Sequence, residues 1–155
     1  MEKKTLKRIF EFLEEKEQHN PPFMWKHKNN IPLTEEELIV KGNLNLEYSK
    51  ITSLPEGLKV GGTLRLGFTN IASLPEGLKV GGHLNLHSCE KLTSLPKGLK
   101  VGGCLDLRGT TITSLPKGLE VGGYLYIYAT NLAKYTNEEL REMIYPGFIK
   151  GVISR

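Results

Sequence analysis

The sequence predicts an α/β solenoid of about five short parallel strands with a helical cap at each end. The first observation is a repeated phrase, because SLPEGLKVGG occupies residues 53–62 and returns at residues 73–82. The second is a fixed period: copies that begin at Gly42, Gly62, Gly82 and Gly103 are 20, 20, 21 and 20 residues long, and a partial fifth begins at Gly123. Such self-similarity indicates units that bury their apolar faces only by stacking on one another.

Each copy opens with an alternating Leu-x-Leu segment, which is typical of a strand with one buried face. Further along, an Ile or Leu, the Leu of SLP, and the Leu and Val before the next Gly-Gly recur at fixed places. We expect these columns to stack into one continuous core. The five strand segments are Leu44/Leu46, Leu64/Leu66, Leu84/Leu86, Leu105/Leu107 and Leu125/Ile127.

The remaining part of each copy predicts turns rather than helix. Pro55 and its equivalents remove a backbone donor and fix φ, and the Gly-Gly pairs let the chain bend into the next strand. We therefore expect strands on one side of the stack and turns on the other.

One inward column is polar, and it lies where each coil leaves its strand. Small hydroxyl or thiol side chains there are expected to bridge adjacent coils through hydrogen bonds to main chain. A buried and inert role is expected for the cysteine of this column. The column consists of Ser49, Thr69, Cys89, Thr110 and Thr130.

The unit VGGxLxLxx(S/T/C)x(I/L)xSLPxGLx resembles the leucine-rich repeat, LxxLxLxxNxL, in the short LPxxL form of bacterial proteins such as type III secreted effectors. The resemblance covers residues 42–135, with Ser, Thr or Cys where the family has Asn. It implies a right-handed solenoid with a concave strand face. Some such effectors carry a ubiquitin-ligase domain, which we do not expect here because 20 residues follow Tyr135.

The two ends are expected to close this stack within one structural domain, with an N-terminal cap at 1–41, repeats at 42–135 and a C-terminal cap and tail at 136–155. Apolar residues at helical spacing predict a helix over residues 3–18. Residues 20–32 are interpreted as a proline-interrupted connection whose apolar residues, Phe23, Met24 and Trp25, fold onto that helix or the first coil. A second helix is expected from Thr34, because Glu37 completes a capping box.

The C-terminal cap is predicted by a second capping box. The segment TNEELREMI favours a helix over residues 136–145. Phe148 and Ile149 are expected in a tail that folds back on the last coil.

Composition and charge exclude several classes of function. The net charge is +4 without a block of like charge, so we expect no nucleic-acid partner. The apolar runs are shorter than the roughly 20 residues of a membrane span, and the N-terminus lacks the pattern of a secretory signal. Two cysteines fit a reducing compartment. We expect a cytoplasmic protein, and delivery into a host cell stays open.

Function is expected at the outward strand positions, because these vary while the core columns repeat. Neighbours along the stack would lie about 4.8 Å apart, so the positions form one face. Its three rows are Asn43, Thr63, His83, Cys104, Tyr124; then Asn45, Arg65, Asn85, Asp106, Tyr126; then Glu47, Gly67, His87, Arg108, Tyr128.

Several features of this face point to protein binding. Three tyrosines form a ridge on the last strand, and exposed tyrosine often anchors interfaces. Gly67 is expected to leave a gap that a partner side chain fills. The predicted partner-binding residues are Arg65, Phe68, His83, Asn85, His87, Asp106, Arg108, Tyr124, Tyr126 and Tyr128.

The leading hypothesis is a monomeric, non-enzymatic module that binds a protein partner on its concave face, without a cofactor. One alternative is a metal-binding site on His83, His87, Cys104 and Asp106, which are ligand types suited to zinc. A second is a structural or assembly role through end-to-end stacking. The resemblance also suggests a narrower version of the first, in which a bacterium or bacteriophage deploys the module against a host protein.

Overall fold

The structure, a computed structural model, describes residues 22–155 and is a parallel β-solenoid with two six-stranded sheets. Each coil contributes one two-residue strand to each sheet, on either side of a Gly-Gly pair, or of a Lys-Gly pair in the first and last coils. We name the first sheet the leucine sheet; its strands are β2 (Leu44–Asn45), β4 (Leu64–Arg65), β6 (Leu84–Asn85), β8 (Leu105–Asp106), β10 (Leu125–Tyr126) and β12 (Ile153–Ser154).

The leucine sheet pairs in the register that the repeat predicts. Leu44, Leu64, Leu84, Leu105 and Leu125 are successive partners in parallel ladders. These five strands lie within the Leu-x-Leu segments, and the sheet has six strands where about five were expected. The sixth, β12, comes from the C-terminal tail and pairs with β10.

The second sheet corrects the expectation of turns alone outside the Leu-x-Leu strands. We name it the valine sheet, because its valines point inward and the residues before them outward. The segment around each SLP does lack helix and strand, as its proline predicts. The strands of the valine sheet are β1 (Ile39–Val40), β3 (Lys59–Val60), β5 (Lys79–Val80), β7 (Lys100–Val101), β9 (Glu120–Val121) and β11 (Phe148–Ile149).

The Gly-Gly pairs are needed chiefly because backbones approach closely at the corner between the sheets. A Cβ on Gly81 would lie 2.2 Å from the carbonyl oxygen of Gly61, and one on Gly102 would lie 2.1 Å from that of Gly81. Backbone at such a distance leaves no room for a side chain. The repeated glycines therefore permit the close approach of successive coils at this corner.

The core is continuous along the stack, as predicted. Leu46, Leu66, Leu86, Leu107 and Ile127 are fully buried, and the other inward columns join them in one cluster.

The polar column makes different hydrogen bonds from those expected. Each hydroxyl donates to the carbonyl three residues upstream in its own coil, as in Thr69 to Leu66 at 2.7 Å and Thr110 to Leu107 at 2.7 Å. Cys89 differs, because its thiol donates to Leu66 of the preceding coil at 3.1 Å. The hydroxyls of this column therefore close the turn within each coil, because the carbonyl that needs a donor belongs to that turn. The predicted bridging of adjacent coils holds for Cys89.

Two predictions at the N-terminal end are wrong. Residues Pro22–Lys28 form helix α1 instead of a connection, because proline is tolerated at the first helical position. Phe23 and Met24 on this helix are buried in the core, as expected of them. The helix predicted over residues 3–18 lies outside the described residues.

The second error concerns Thr34 and Glu37. Both capping-box hydrogen bonds form, Glu37 Oε2 with the Thr34 N–H at 3.0 Å and Thr34 Oγ1 with the Glu37 N–H at 3.3 Å. The chain nevertheless makes a single turn and then enters β1. Ile39–Val40 pairs with Lys59–Val60, so backbone groups that would make hydrogen bonds in a longer helix make them in the valine sheet instead.

The C-terminal end agrees with the predicted helix. After a 3-10 helix at Asn131–Lys134, helix α2 spans Asn137–Ile144 and begins with the Thr136 capping box. Leu140 and Ile144 of α2 are fully buried. The tail folds back on the last coil as β11 and β12. None of the helices in residues 22–155 has both the length and the apolar character that crossing a bilayer requires.

Candidate functional site

The outward positions of the leucine sheet form one face, and their middle row is in register along the whole stack. Asn45, Arg65, Asn85, Asp106 and Tyr126 are consecutive ladder partners, followed by Ser154 of the tail. The structure therefore brings the predicted partner-binding residues of this row together. Within the face, however, individual positions have different roles.

Four of the five side chains of the first row are part of the scaffold, which differs from the expectation that the whole face serves binding. Each of the four, from Asn43 to Cys104, accepts a hydrogen bond from the backbone N–H of the equivalent residue one coil later. The distances are 2.8 Å from Thr63 to Asn43 Oδ1, 3.4 Å from His83 to Thr63 Oγ1, 2.9 Å from Cys104 to His83 Nδ1 and 3.3 Å from Tyr124 to Cys104 Sγ. His83 and Cys104 thus serve the fold as hydrogen-bond acceptors for the next coil.

The middle row contains local turn-forming groups. Asn85 Oδ1 accepts from the backbone N–H of His87 at 2.9 Å, and Asp106 Oδ1 accepts from that of Arg108 at 3.1 Å. Asn45 makes the same contact with Glu47 at 3.0 Å. These Asx-type contacts fix the end of each strand. Arg65 is exposed, and none of the ion pairs within residues 22–155 includes it.

The expected gap at Gly67 is closed. Gly67 is buried, because Asn85 Nδ2 donates to Glu47 Oε1 at 3.0 Å across its coil. A Cβ on Gly67 would lie 3.3 Å from that Glu47 oxygen. The missing side chain therefore admits a contact between the coils on either side, and it does not leave a cavity for a partner.

The C-terminal part of the face is built around an ion pair. Arg108 donates from Nε to Asp106 Oδ1 at 2.9 Å and from a terminal nitrogen to Oδ2 at 2.6 Å. This bidentate hydrogen bond with Asp106 raises the pKa of the Arg108 guanidinium. The guanidinium carbon also lies 5.5 Å from the ring centroid of Tyr126. Arg108 is consequently held in one orientation while much of its side chain stays exposed.

The tyrosine ridge of β10 continues this arrangement. The rings of Tyr124 and Tyr126 meet edge to face, with centroids 6.3 Å apart. Tyr124 and Tyr128 are 49% and 67% exposed, while Tyr126 is half-buried beneath Arg108. Three aromatic rings and one oriented guanidinium therefore share the last two repeats of the face.

A second aromatic group lies at the other end, and the sequence prediction found only part of it. Phe68 was expected to bind a partner, and so was His87. The ring of Tyr48, which was not predicted, stacks on Phe68 with centroids 4.8 Å apart and an interplanar angle of 7°. Phe68 meets His87 edge to face at 5.1 Å. We call Tyr48, Phe68 and His87 the aromatic row.

Tyr48 and Phe68 lie in a column whose backbone is left-handed in every coil. Their φ angles are 60° and 59°, and those of Ser88, Gly109 and Ala129 in the same column are 55°, 68° and 55°. A bulky residue rarely adopts this left-handed region. Gly109 was the one signal of this conformation in the sequence.

The geometry does not support the metal alternative. His83 Nδ1 is occupied by the Cys104 N–H, and Asp106 is occupied by Arg108. No three His, Cys, Asp or Glu residues among those described come close enough to hold a metal ion. His87 Nδ1 is buried and lacks a hydrogen-bond partner within the described chain.

Comparison with protein-family models, with curated proteins and with solved structures found no match for the chain.

Proposed function

We propose that this chain is a leucine-rich-repeat protein and a non-enzymatic binding module that engages a protein partner through the outward face of the leucine sheet. The 20-residue period, the parallel ladders and the inward leucines support the repeat assignment. In this proposal the solenoid is right-handed, the leucine sheet is its concave side, and the terminal segments act as caps.

The observation that carries the binding proposal is the group formed by Arg108, Tyr124, Tyr126 and Tyr128. Arg and Tyr are, with Trp, the residue types enriched among those that dominate interface energies. Here the guanidinium is already oriented by Asp106 and the ring of Tyr126. Because Arg108 is held in place before binding, little of its side-chain conformational entropy is lost when a partner docks.

The proposed role is that of a monomeric cytoplasmic protein. Free Cys89 and Cys104 are compatible with a reducing compartment. A narrower form of the proposal follows from the short LPxGL repeats, namely that a bacterium or bacteriophage uses the module to block a host protein.

The test requires a partner identified by photo-crosslinking from position 128, followed by binding measurements with purified proteins. We expect Arg108→Ala and Tyr128→Ala each to raise the Kd by about tenfold or more, which corresponds to about 1.4 kcal/mol. Lys79→Ala on the outward side of the valine sheet is the matched control and should leave the Kd unchanged. Equal affinities for all four proteins would overturn the assignment of this face.

A further inference from the structure

Tyr48 and Phe68 of the aromatic row are exposed, and both have left-handed backbone. Tyr48 is 73% exposed and Phe68 is 48% exposed. Left-handed backbone is unfavourable for residues with a side chain, and Gly109 shows that glycine fits the same column. This conformation belongs to the turn of every coil, and Tyr48 and Phe68 differ from the rest of the column in carrying large exposed rings. Exposed apolar patches of this kind mark interaction sites.

A carboxylate lies at the foot of the stacked pair. Glu47 directly precedes Tyr48, and its Oε1 is held over Gly67, the residue that directly precedes Phe68. Backbone pairing fixes this arrangement, because the Tyr48 N–H donates to the Gly67 carbonyl at 3.1 Å. Oε1 accepts from Asn85, and Oε2 has no hydrogen bond within residues 22–155. One oxygen of an anchored carboxylate is thus open to a donor.

At the other end of the same face, one guanidinium contacts both a carboxylate and an aromatic ring. There Asp106 supplies a carboxylate, Tyr126 supplies a ring, and the Arg108 guanidinium bonds the first and lies over the second. At the N-terminal end Glu47 supplies a carboxylate and the next residue, Tyr48, supplies a ring, and no contact within residues 22–155 places a guanidinium on either. A planar guanidinium suits both groups, since it pairs with carboxylates and stacks on aromatic faces.

We propose that Glu47 and the ring face of Tyr48 form a binding site for an arginine side chain of the protein partner, which completes the arrangement that Asp106, Arg108 and Tyr126 make internally. This inference rests on the proposed function, because it places the partner on the leucine sheet.

Two resident cations oppose a cationic ligand. Arg65 lies on the face one coil from Glu47, and Lys50 follows Tyr48 by two residues; both are exposed. Exposed charges are screened by salt and solvent, so they weaken the site without closing it. Removing either charge should therefore strengthen the binding of an arginine probe.

The test uses N-acetyl-L-arginine amide as the probe and N-acetyl-L-citrulline amide as its neutral control of the same shape. Amide resonances in ¹H–¹⁵N spectra report the location. We expect the arginine probe to shift Glu47, Tyr48, Gly67 and the Asn85 side-chain amide, and the citrulline probe to bind about two- to fivefold more weakly. Equal binding of the two probes, or shifts confined to Tyr124–Tyr128, would overturn the proposal.

Variants locate the effect without depending on the core. Glu47→Gln should weaken the arginine probe about two- to fivefold and reduce its advantage over citrulline to what the Tyr48 ring alone supplies. The double variant Tyr48→Gly with Phe68→Gly, in which glycine suits the backbone, should abolish the shifts. Arg65→Gln should tighten binding, and Glu56→Gln, an exposed carboxylate outside the face, should leave it unchanged. Unaltered probe binding in Glu47→Gln would contradict the site.

Failure of this inference can be separated from failure of the proposed function. If the probe does not bind but Arg108→Ala still loses the partner, the leucine sheet remains the partner-binding face and only the arginine site is excluded. If the probe binds and Arg108→Ala has no effect on partner affinity, the arginine site stands and the proposed position of the partner is wrong.

Discussion

The backbone N–H of Cys104 donates a hydrogen bond to Nδ1 of His83, one coil earlier, at 2.9 Å. This bond makes a residue that looks like a candidate binding or catalytic group part of the scaffold. Asn43 has the same relationship with the Thr63 N–H at 2.8 Å. The first row of the leucine sheet therefore requires a hydrogen-bond acceptor, and several side chains satisfy that requirement.

His83→Asn should retain most of the unfolding free energy, because asparagine supplies the acceptor that Asn43 supplies in the first repeat. His83→Ala removes it and should cost about 0.5 kcal/mol, near the lower end for a hydrogen bond, since the exposed N–H can turn to water. Urea unfolding of the two variants gives the comparison. Equal stabilities for the two would mean that the acceptor contributes nothing.

The core and the register of the leucine sheet could be predicted from the sequence because identical coils can stack in only one way without exposing Leu64 or Leu84. The valine sheet could not be predicted, since the Lys-Val pair is too short to show an alternation. The hydrogen-bonding role of the first row could not be predicted either, because Asn, Thr, His and Cys share little except an acceptor atom. At the N-terminal end, strand pairing by Ile39–Val40 overrode the local helix signal of Thr34.

The site was predictable in part for a similar reason. Outward positions follow from the two-residue period of a strand, so Arg108 and Tyr126 could be assigned to one face. Tyr48 lies just beyond the strand, where the chain turns with φ of 60°. Nothing in the alternation places a side chain there, and only Gly109 in the same column indicated a left-handed residue.

At position 48, glycine should be more stabilising than alanine. Both Tyr48→Gly and Tyr48→Ala lose the stack on Phe68, so the difference between them isolates the backbone. Because alanine is strained at φ of 60° and glycine is not, we expect the glycine variant to have an unfolding free energy higher by about 1 kcal/mol. At positions with ordinary backbone angles, alanine gives the more stable protein of the two. Chemical denaturation measures the order, and the usual ranking would show that residue 48 is not left-handed.

The two cysteines should react with thiol reagents at very different rates. Burial raises the pKa of the Cys89 thiol, which lowers the fraction of reactive thiolate. Cys89 is fully buried, whereas Cys104 is partly exposed. We expect a single rapidly labelled thiol in native protein and a second only after denaturation.

Cys104→Ser is the control for this labelling experiment. It should remove the rapid phase and keep the slow one, and mass spectrometry of digested protein identifies the labelled residue. Rapid modification of Cys89 in native protein would contradict its burial between Thr69 and Leu66.

Glu37 should make the protein less stable in acid. The hydrogen bond from Lys26, assisted by the Thr34 backbone, lowers the pKa of the Glu37 carboxyl. A carboxyl with a lowered folded-state pKa stabilises the protein above its unfolded-state pKa, and this stability is lost as pH falls through the folded value. We therefore expect the unfolding free energy to decline from about pH 5 downwards, around and below the ordinary glutamate pKa of about 4.3.

Glu37→Gln isolates this contribution because glutamine keeps the shape of the capping box without the titrating charge. Its unfolding free energy should be lower than that of the wild type at neutral pH, and the difference should shrink in acid. Glu36→Gln, at an exposed neighbour whose carboxylate accepts no hydrogen bond from residues 22–155, is the matched control and should follow the wild-type profile. Denaturant titrations at several pH values measure all three proteins. A difference between Glu37→Gln and the wild type that stayed constant down to pH values below the carboxyl range would show that the contact with Lys26 does not depend on the charge of Glu37.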